Sequence, residues 1–301
     1  HKEYRRQRQM CIRDRAQPRL KVASQRRTLM KEVNVADSLT AALTATDITV
    51  AFGGLVAVNN VSFSVPEKSV VSLIGPNGAG KTTFFNVLTG LYKPTSGQVV
   101  FNGRNVTGKP PHSIAAAGLA RTFQNIRLFG LMTAEENVMV AMHSHLKSGI
   151  IATLFSTPAQ RREEAEARDN ARALLDFVGI GAHSGEYARN LSYGDQRRLE
   201  VARALALNPS VLLLDEPTAG MNPKESADFV DFVYRLREEK GTAILLIEHD
   251  MSVVMRVSER VTVLDRGEKI AEGSPADVKS DVRVIEAYLG TGAAAAAGDA
   301  S

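Results

Sequence analysis

Cysteine, tryptophan and long apolar stretches are what this 301-residue sequence has least of. A single cysteine excludes an internal disulfide framework and any metal site built from cysteine alone. The lack of tryptophan and an aromatic content of 6% argue against a surface that binds nucleic acid by base stacking. No apolar run approaches the roughly 20 residues that a membrane-spanning helix needs. The rest of the composition, 44% hydrophobic and 23% charged, is that of an ordinary globular protein.

The net charge of +4 is unevenly distributed. Residues 1–30 contain ten basic and two acidic side chains, which is +8, so the rest of the chain carries −4. Such a tail fits an electrostatic anchor for anionic lipid or nucleic acid, or an organelle transit peptide. We favour a third interpretation, because residues 5–14 match one reading frame of a transposon adapter used in sequencing libraries. We therefore expect adapter sequence, including Cys11, ahead of a start at Met30.

Short β-branched runs alternate with helical stretches along most of the chain. Several are apolar on both faces, as in strands that helices cover on both sides. The segment from about 133 to 189 is instead rich in alanine, arginine and glutamate, and it predicts a helical insertion into an α/β core. The predicted strands are 48–51, 61–65, 70–74, 99–101, 211–214, 243–247 and 261–264.

A glycine-rich loop directly follows the strand predicted at 70–74. It fits the pattern G-x-x-x-x-G-K-[ST] between a strand and a helix-prone run at 83–88, a context that disfavours a simple turn with a solvated lysine. Backbone N–H groups and a helix N-terminus attract phosphates, Lys81 supplies a point charge, and the Thr82 hydroxyl suits Mg²⁺. The residues expected to bind nucleotide here are Gly75, Asn77, Gly78, Gly80, Lys81, Thr82 and Thr83.

Two carboxylates follow the apolar run at 211–214. Asp215 suits a Mg²⁺ ligand, and Glu216 suits a general base or a group that polarises water for attack on the γ-phosphate. An isolated Asp-Glu pair after a strand is usually a surface turn. Beside the phosphate loop, the pair predicts a site of nucleotide hydrolysis.

Further motifs, in a fixed order, resemble those of ABC-transporter ATPases. Residues 191–198, LSYGDQRR, resemble the signature motif LSGGQ, and Gln124 matches the glutamine of the Q-loop. Residues 219–223 lie where the D-loop belongs, and His249 matches the switch histidine. Phe52 lies where an aromatic ring stacks on adenine. Taken singly, Phe52 is as consistent with core packing and His249 with a structural histidine.

The resemblance implies a P-loop NTPase core of the RecA-like type, with an antiparallel β subdomain and an inserted α-helical subdomain. The ABC ATPase domain would span residues 41–290, with the helical subdomain at about 126–200. A disordered and partly artefactual basic tail at 1–40 and a low-complexity tail at 291–301 would flank it.

In this family two cassettes sandwich two ATP molecules head to tail, so the signature contacts the nucleotide held by the partner. The resemblance implies that Gln124 senses Mg²⁺ and that Glu216 and His249 are catalytic. The implied metal ligands are Thr82, Gln124 and Asp215, the implied signature contacts are Ser192, Gly194 and Asp195, and Asn222 is the implied D-loop contact.

Three residues depart from the family pattern. Tyr193 replaces the first glycine of the signature, and Asp195 stands where glutamine or glutamate is usual. The charge of Asp195 suits a helix start but could repel a nearby phosphate. Asn222 replaces the usual D-loop aspartate, which keeps the hydrogen-bonding geometry and loses the charge.

Longer strings, among them FGGLVAV at 52–58, GLARTFQ at 118–124 and IEHDM at 247–251, resemble the ATP-binding subunit of branched-chain amino acid importers. The implied function is ATP hydrolysis that drives uptake of branched-chain amino acids or a related small solute. The alternatives are a urea or amide importer, a lipopolysaccharide exporter, and a soluble non-transport ABC ATPase. The implied cofactors are ATP and Mg²⁺.

The resemblance also implies the partners and the location of the protein. We expect a second ATPase subunit in a homodimer or heterodimer, two membrane permease subunits, and indirectly a periplasmic solute-binding protein. No nucleic acid is expected. The permeases would hold the chain peripherally at the cytoplasmic face of the bacterial inner membrane.

Overall fold

The computed structural model describes residues 41–142 and 158–289. The tails predicted at 1–40 and 291–301, together with Cys11 and Met30, lie outside these residues. In the described part of the chain, no helix has the length and apolar character needed to cross a bilayer.

The strands and helices alternate along most of the chain. The strands are β1 (Ala41–Phe52), β2 (Leu55–Pro66), β3 (Val70–Ile74), β4 (Ser96–Phe101), β5 (Arg104–Asn105), β6 (Leu119–Arg121), β7 (Val211–Asp215), β8 (Ala243–Ile247), β9 (Arg260–Asp265) and β10 (Glu268–Gly273). The helices are α1 (Lys81–Leu88), α2 (Pro111–Ala116), α3 (Ala134–Met142), α4 (Pro158–Phe177), α5 (Tyr193–Leu205), α6 (Pro223–Lys240), α7 (Met251–Val257), α8 (Pro275–Ser280) and α9 (Val282–Leu289).

The strands form two sheets. One has the order β2-β1-β4-β5, in which β4 runs antiparallel to β1 and to β5. The other has the order β10-β9-β3-β8-β7-β6, with β9, β3, β8, β7 and β6 parallel and β10 antiparallel at one edge. The predicted α/β fold with a separate antiparallel sheet is thereby confirmed.

The parallel sheet is buried on both faces. Successive side chains of a strand point to opposite faces, and in β7 Val211 and Leu213 join one apolar cluster while Leu212 and Leu214 join another. The first cluster includes Phe84 of α1 and the antiparallel sheet; the second includes residues of α5 and α6. This two-sided burial explains why β7 and β8 carry apolar residues on both faces.

The structure extends or adds to several predicted strands. β1 and β2 are longer than expected, because polar residues such as Asn59 and Asn60 interrupt the apolar pattern of β2 without ending the strand. Three strands were not predicted: β5, with two residues, β6, with three, and β10, whose side chains are largely exposed. Helix α1 begins at Lys81, two residues before the predicted helix-prone run at 83–88.

Between β6 and β7 the described residues form helices α3, α4 and α5, with only an isolated β-bridge between Thr133 and Tyr187. Leu175 of α4 and Leu199 of α5 are fully buried in one apolar cluster. The described helices agree with the helical character expected of this segment, and the subdomain boundaries at about 126 and 200 stay a prediction.

Candidate active site

The strand register brings several predicted site segments to one edge of the parallel sheet. Ile247 at the end of β8 is paired with Leu73 of β3 on one side and with Asp215 of β7 on the other. The loops that follow these strands therefore leave the sheet side by side, which is where open α/β sheets bind ligands. They contain the phosphate loop, Glu216 and His249.

The phosphate loop has a backbone that glycine alone can adopt at two points. A Cβ on Gly75 would lie 2.1 Å from the carbonyl oxygen of Leu264, and one on Gly80 would lie 2.5 Å from that of Ala57. Gly80 is also the N-cap of α1, with φ of 96° and no side-chain cap. The first N–H groups of the helix thus lack a side-chain partner, and they form a natural site for an anion.

Lys81 bridges the phosphate loop. Its Nζ donates to the carbonyl oxygens of Gly75 at 2.6 Å and Pro76 at 3.0 Å. Burial lowers the pKa of Lys81, and the nearby carboxylates of Glu216 and Asp215 act in the opposite direction. The other predicted phosphate contacts lie in the loop or in the first turn of α1, and Asn77, Gly78 and Thr82 among them are exposed.

Asp215 is 3% exposed and is paired with an arginine that sequence reasoning did not single out. Arg121 Nη2 lies 2.7 Å from Asp215 Oδ2, and Arg121 Nη1 donates to Asn86 Oδ1 of α1 at 2.7 Å. This arginine therefore joins β6, β7 and α1. The described residues contain no group of three or more His, Cys, Asp or Glu side chains that could hold a metal.

Glu216 lies in contact with Gln124 and close to His249. Its φ of 48° is in the left-handed region, and its N–H donates to the carbonyl of Ile247 at 2.9 Å. Gln124 Nε2 donates to Glu216 Oε2 at 2.9 Å, and His249 Nδ1 lies 4.0 Å from the same oxygen. A strained backbone of this kind costs about 1–3 kcal/mol and persists where the surroundings fix it, often at active sites. The structure thus brings Gln124, Glu216 and His249 together.

The carboxylate of Glu248 is buried, which the sequence did not reveal, and it holds the switch segment, residues 248–250. Glu248 is 1% exposed, and its Oε1 accepts hydrogen bonds from the N–H and the hydroxyl of Thr218. Its Oε2 accepts from the N–H groups of His249 at 3.0 Å and Asp250 at 3.3 Å. Glu248 therefore fixes the backbone of His249 relative to the loop after Glu216.

The signature segment begins α5. Ser192 is the N-cap, and its Oγ accepts from the N–H of Asp195 at 3.2 Å and donates to Asp195 Oδ2 at 2.7 Å. Asp195 therefore helps to start the helix, which accounts for an acidic residue here. Tyr193 lies against the D-loop, since a Cβ on Gly220 would be 3.4 Å from its ring, and Gly194 lies in the first turn.

Asn222 also caps a helix. Its Oδ1 accepts from the N–H groups of Lys224 and Glu225, both at 3.0 Å, and Glu225 Oε2 accepts from the N–H of Asn222 at 2.8 Å. This capping box starts α6 with Pro223 in its first turn. An asparagine serves as an N-cap as well as an aspartate, so the departure from the family pattern preserves this local role.

Phe52 ends β1 and is 47% exposed. Its ring meets that of Tyr92 edge-on, with centroids 5.4 Å apart. The alternative that Phe52 is a core residue is therefore wrong. An exposed ring held by a second ring is a suitable platform for a planar base, and the adenine contact stays a prediction.

The ABC transporter family model matches residues 58–219. The chain belongs to the ABC transporter ATPase family. A second model, described as branched-chain amino acid ATP-binding cassette transporter, matches residues 268–294 of this ABC ATPase. Sequence relatives and solved structures of ABC ATPases resemble this protein over most of the chain.

Two curated relatives are high-affinity branched-chain amino acid transport ATP-binding proteins. LivG of Salmonella typhimurium is 51% identical to this ABC ATPase over 239 residues, 79% of this chain and 94% of the relative. BraF of Pseudomonas aeruginosa is 49% identical over 248 residues, 82% of this chain and 97% of the relative.

Solved structures of other cassettes share the fold. The ADP conformation of MJ1267, an ATP-binding cassette of an ABC transporter, aligns with a TM-score of 0.72 at 33% identity, covering 83% of this chain and 99% of that one. The dimeric structure of MJ0796, bound to ADP and phosphate, aligns with a TM-score of 0.66 at 26% identity, covering 77% and 98%. The predicted ABC ATPase architecture is confirmed.

We expect Glu248→Gln to slow ATP hydrolysis roughly 10- to 100-fold, because the switch backbone would shift relative to Glu216. In the variant, the amide NH₂ group at position 248 would face N–H and O–H donors that the carboxylate now accepts from. The unpaired donors would cost about 1–3 kcal/mol of stability. Thermal melting and steady-state hydrolysis measure the two effects. Glu259→Gln is the control, since Glu259 is half exposed and pairs with Arg237 on the surface. Lower stability with unchanged turnover would leave Glu248 a structural role only.

Proposed function

We propose that this chain hydrolyses ATP, with Mg²⁺, as the nucleotide-binding subunit of an importer of branched-chain amino acids. The observation that carries the catalytic proposal is the contact of Gln124 with Glu216 Oε2, with His249 Nδ1 4.0 Å away, at the sheet edge that also holds the phosphate loop. The identity to LivG and BraF supports the transport role.

The residues around the loop fit a magnesium nucleotide. The uncapped start of α1 and the Lys81 ammonium suit the phosphates, and the exposed Phe52 ring suits the base. The oxygen atoms of Thr82, Gln124 and Asp215 are of the hard type that Mg²⁺ prefers. When bound, Mg²⁺ neutralises charge on the β- and γ-phosphates. The Asp215 carboxylate is held by Arg121, and this contact fixes its orientation.

Glu216 and His249 would act on the attacking water. The Glu216 carboxylate orients the water and accepts its proton, while His249 stabilises charge on the γ-phosphate. Gln124 keeps the carboxylate in place through the 2.9 Å hydrogen bond from its amide. The backbone of Glu216 is left-handed, with φ of 48°, and its carboxylate lies beside Gln124 and His249.

One chain alone would not form a complete site, because the phosphate loop and the signature of a site would come from different subunits. We propose a head-to-tail dimer in which Ser192, Gly194 and Asp195 of one subunit meet the nucleotide of the other, and in which Asn222 contacts the partner. The Ser192 hydroxyl and the start of α5 are suitable donors for a phosphate. The dimeric structure of the cassette MJ0796, bound to ADP and phosphate, supports the formation of a dimer.

The proposed assembly includes a second ATPase subunit and two permease subunits, with a periplasmic solute-binding protein acting through the permeases. No nucleic acid takes part in it. The chain would lie at the cytoplasmic face of the inner membrane, held by the permeases. The helical segment at about 126–200, within a cassette spanning 41–290, would receive a helix of a permease.

The test is reconstitution with the two permease subunits of the proposed importer. We expect weak ATP hydrolysis by the isolated subunit, a rise of at least about tenfold in proteoliposomes that also contain the solute-binding protein and leucine, and ATP-dependent uptake of labelled leucine. Urea, acetamide and lipopolysaccharide serve as comparison solutes in matched vesicles. Stimulation by one of these in place of leucine would overturn the proposed substrate and leave the ATPase proposal intact.

A further inference from the structure

Helix α5 holds the backbone of the Q-loop as well as the signature. Arg197 is 4% exposed, and its Nη1 donates to the carbonyl oxygen of Phe123 at 2.7 Å. Its Nη2 donates to the carbonyl oxygen of Gln124. One guanidinium therefore binds the peptide groups on both sides of the Gln124 α-carbon.

Glu200, one turn further along α5, completes the contact. Its Oε1 accepts from the N–H of Phe123 at 3.1 Å, and its Oε2 lies 3.2 Å from Arg197 Nη1. The side chain is buried, and burial raises the pKa of Glu200, while the Phe123 N–H and Arg197 act in the opposite direction. Both backbone groups of Phe123 are thus held by side chains of α5.

Burying the Arg197–Glu200 ion pair in the core costs free energy. Removing two charges from water costs free energy that a buried ion pair does not always recover, and apolar residues of similar size often serve stability equally well. What Arg197 and Glu200 supply that apolar residues cannot is a set of directed hydrogen bonds to the Q-loop backbone. This specificity points to a positioning role.

The contacts form a continuous chain between two functional segments. At one end Gln124 donates to Glu216. At the other end Ser192 caps α5 five residues before Arg197, about 7.5 Å along the helix axis at 1.5 Å per residue. Arg203, six residues beyond Arg197, donates to the carbonyl of Arg127 and so adds a further anchor for the same loop.

We propose that Arg197 and Glu200 are positioning residues that join the Q-loop to the signature helix α5. Through this link, nucleotide bound beside Gln124 in one site orients the start of α5, at Ser192, toward the nucleotide of the other site. The inference rests on the proposed dimeric ATPase. It assigns the link to two buried side chains that hold the backbone of the Q-loop against α5.

The test uses the full chain with Glu216→Gln as the parent. To this parent we add Arg197→Lys, which keeps the charge and loses the two-pronged contact, or Glu200→Gln, which keeps the shape and loses the ion pair. Arg235→Lys and Glu239→Gln are matched controls, because their 3.2 Å ion pair lies half exposed on α6. Fluorescent ADP measures binding to the monomer, and sedimentation measures ATP-dependent dimerisation.

We expect ADP affinity to stay within about twofold of the parent in every variant. The ATP concentration for half-dimerisation should rise at least about tenfold in Arg197→Lys and by a smaller factor in Glu200→Gln, with both controls unchanged. Added to Gln124→Ala, Arg197→Lys should have little further effect, because residues that act through one another are not additive.

Other results would contradict either the proposed function or this inference alone. A parent that does not dimerise with ATP contradicts the proposed function, whereas a parent that dimerises while Arg197→Lys does so equally well contradicts only this inference. An additive loss on top of Gln124→Ala assigns Arg197 to the general structure and overturns the link. If Arg197→Lys does not fold, Glu200→Gln decides; if neither folds, the pair is a folding element and the inference is wrong.

Discussion

The Lys81→Ala variant is expected to lose at least about 100-fold in affinity for both ADP and ATP. A charge-assisted hydrogen bond contributes roughly 1.5–3 kcal/mol, and two of them to the phosphates exceed the 2.8 kcal/mol or so that corresponds to 100-fold. Arg121 does not replace the ammonium, because its guanidinium is committed to Asp215 and Asn86. Equilibrium binding of a fluorescent nucleotide measures the effect.

The variant should remain folded. The hydrogen bonds of Lys81 are made to the loop carbonyls of Gly75 and Pro76, and α1 is anchored by the buried rings of Phe84 and Phe85. Lys279→Ala, an exposed lysine in the last turn of α8, is the control and should bind nucleotide as the native chain does. Tight ATP binding by Lys81→Ala would contradict the assigned phosphate site.

The phosphate loop and the central strands were predictable because their signals are local. β3, β7 and β8 are buried on every residue, so each appears in the sequence as a largely apolar run, interrupted only by Ser72 in β3 and ended by Asp215 in β7. The loop after β3 needs glycine where a Cβ would strike another backbone, as at Gly80. Neither signal depends on knowing which segments meet in the fold.

The buried charged residues were not predictable in the same way. Arg121, Arg197 and Glu248 are charged, and charged side chains are usually exposed. Their burial depends on partners that are remote in sequence, such as Asp215 for Arg121 and Thr218 for Glu248. Without the fold, these partners could not be paired from one sequence.

The short strand β6 was missed for a related reason. Its three residues are too few to show a hydrophobic period, and it exists because it pairs in parallel with β7, about 90 residues later. That pairing fixes the start of the Q-loop, since the N–H of Thr122 donates to the carbonyl of Leu213 at 2.9 Å. The position of Gln124 beside Glu216 is therefore a property of the sheet, while its identity as a Q-loop glutamine came from the family resemblance.

The Glu216→Gln variant is expected to bind ATP normally and to hydrolyse it about 10²- to 10³-fold more slowly, within the usual range for loss of a general base. The amide keeps the size of the side chain and an oxygen that can accept from Gln124, so the contact at 2.9 Å can persist. It cannot take a proton from water. The ATP-bound dimer should therefore accumulate, and sedimentation with ATP and Mg²⁺ should detect it.

The comparison that makes this result specific is between ATP and ADP. ADP lacks the γ-phosphate that the partner signature is proposed to contact through Ser192, so it should leave Glu216→Gln monomeric at the same concentration. Glu259→Gln, a surface change of the same chemistry, should hydrolyse ATP at the native rate and form no stable dimer. Rapid turnover by Glu216→Gln would remove Glu216 from the catalytic step, and His249, which lies 4.0 Å from the same carboxylate oxygen, would then be the next residue to test as the proton acceptor.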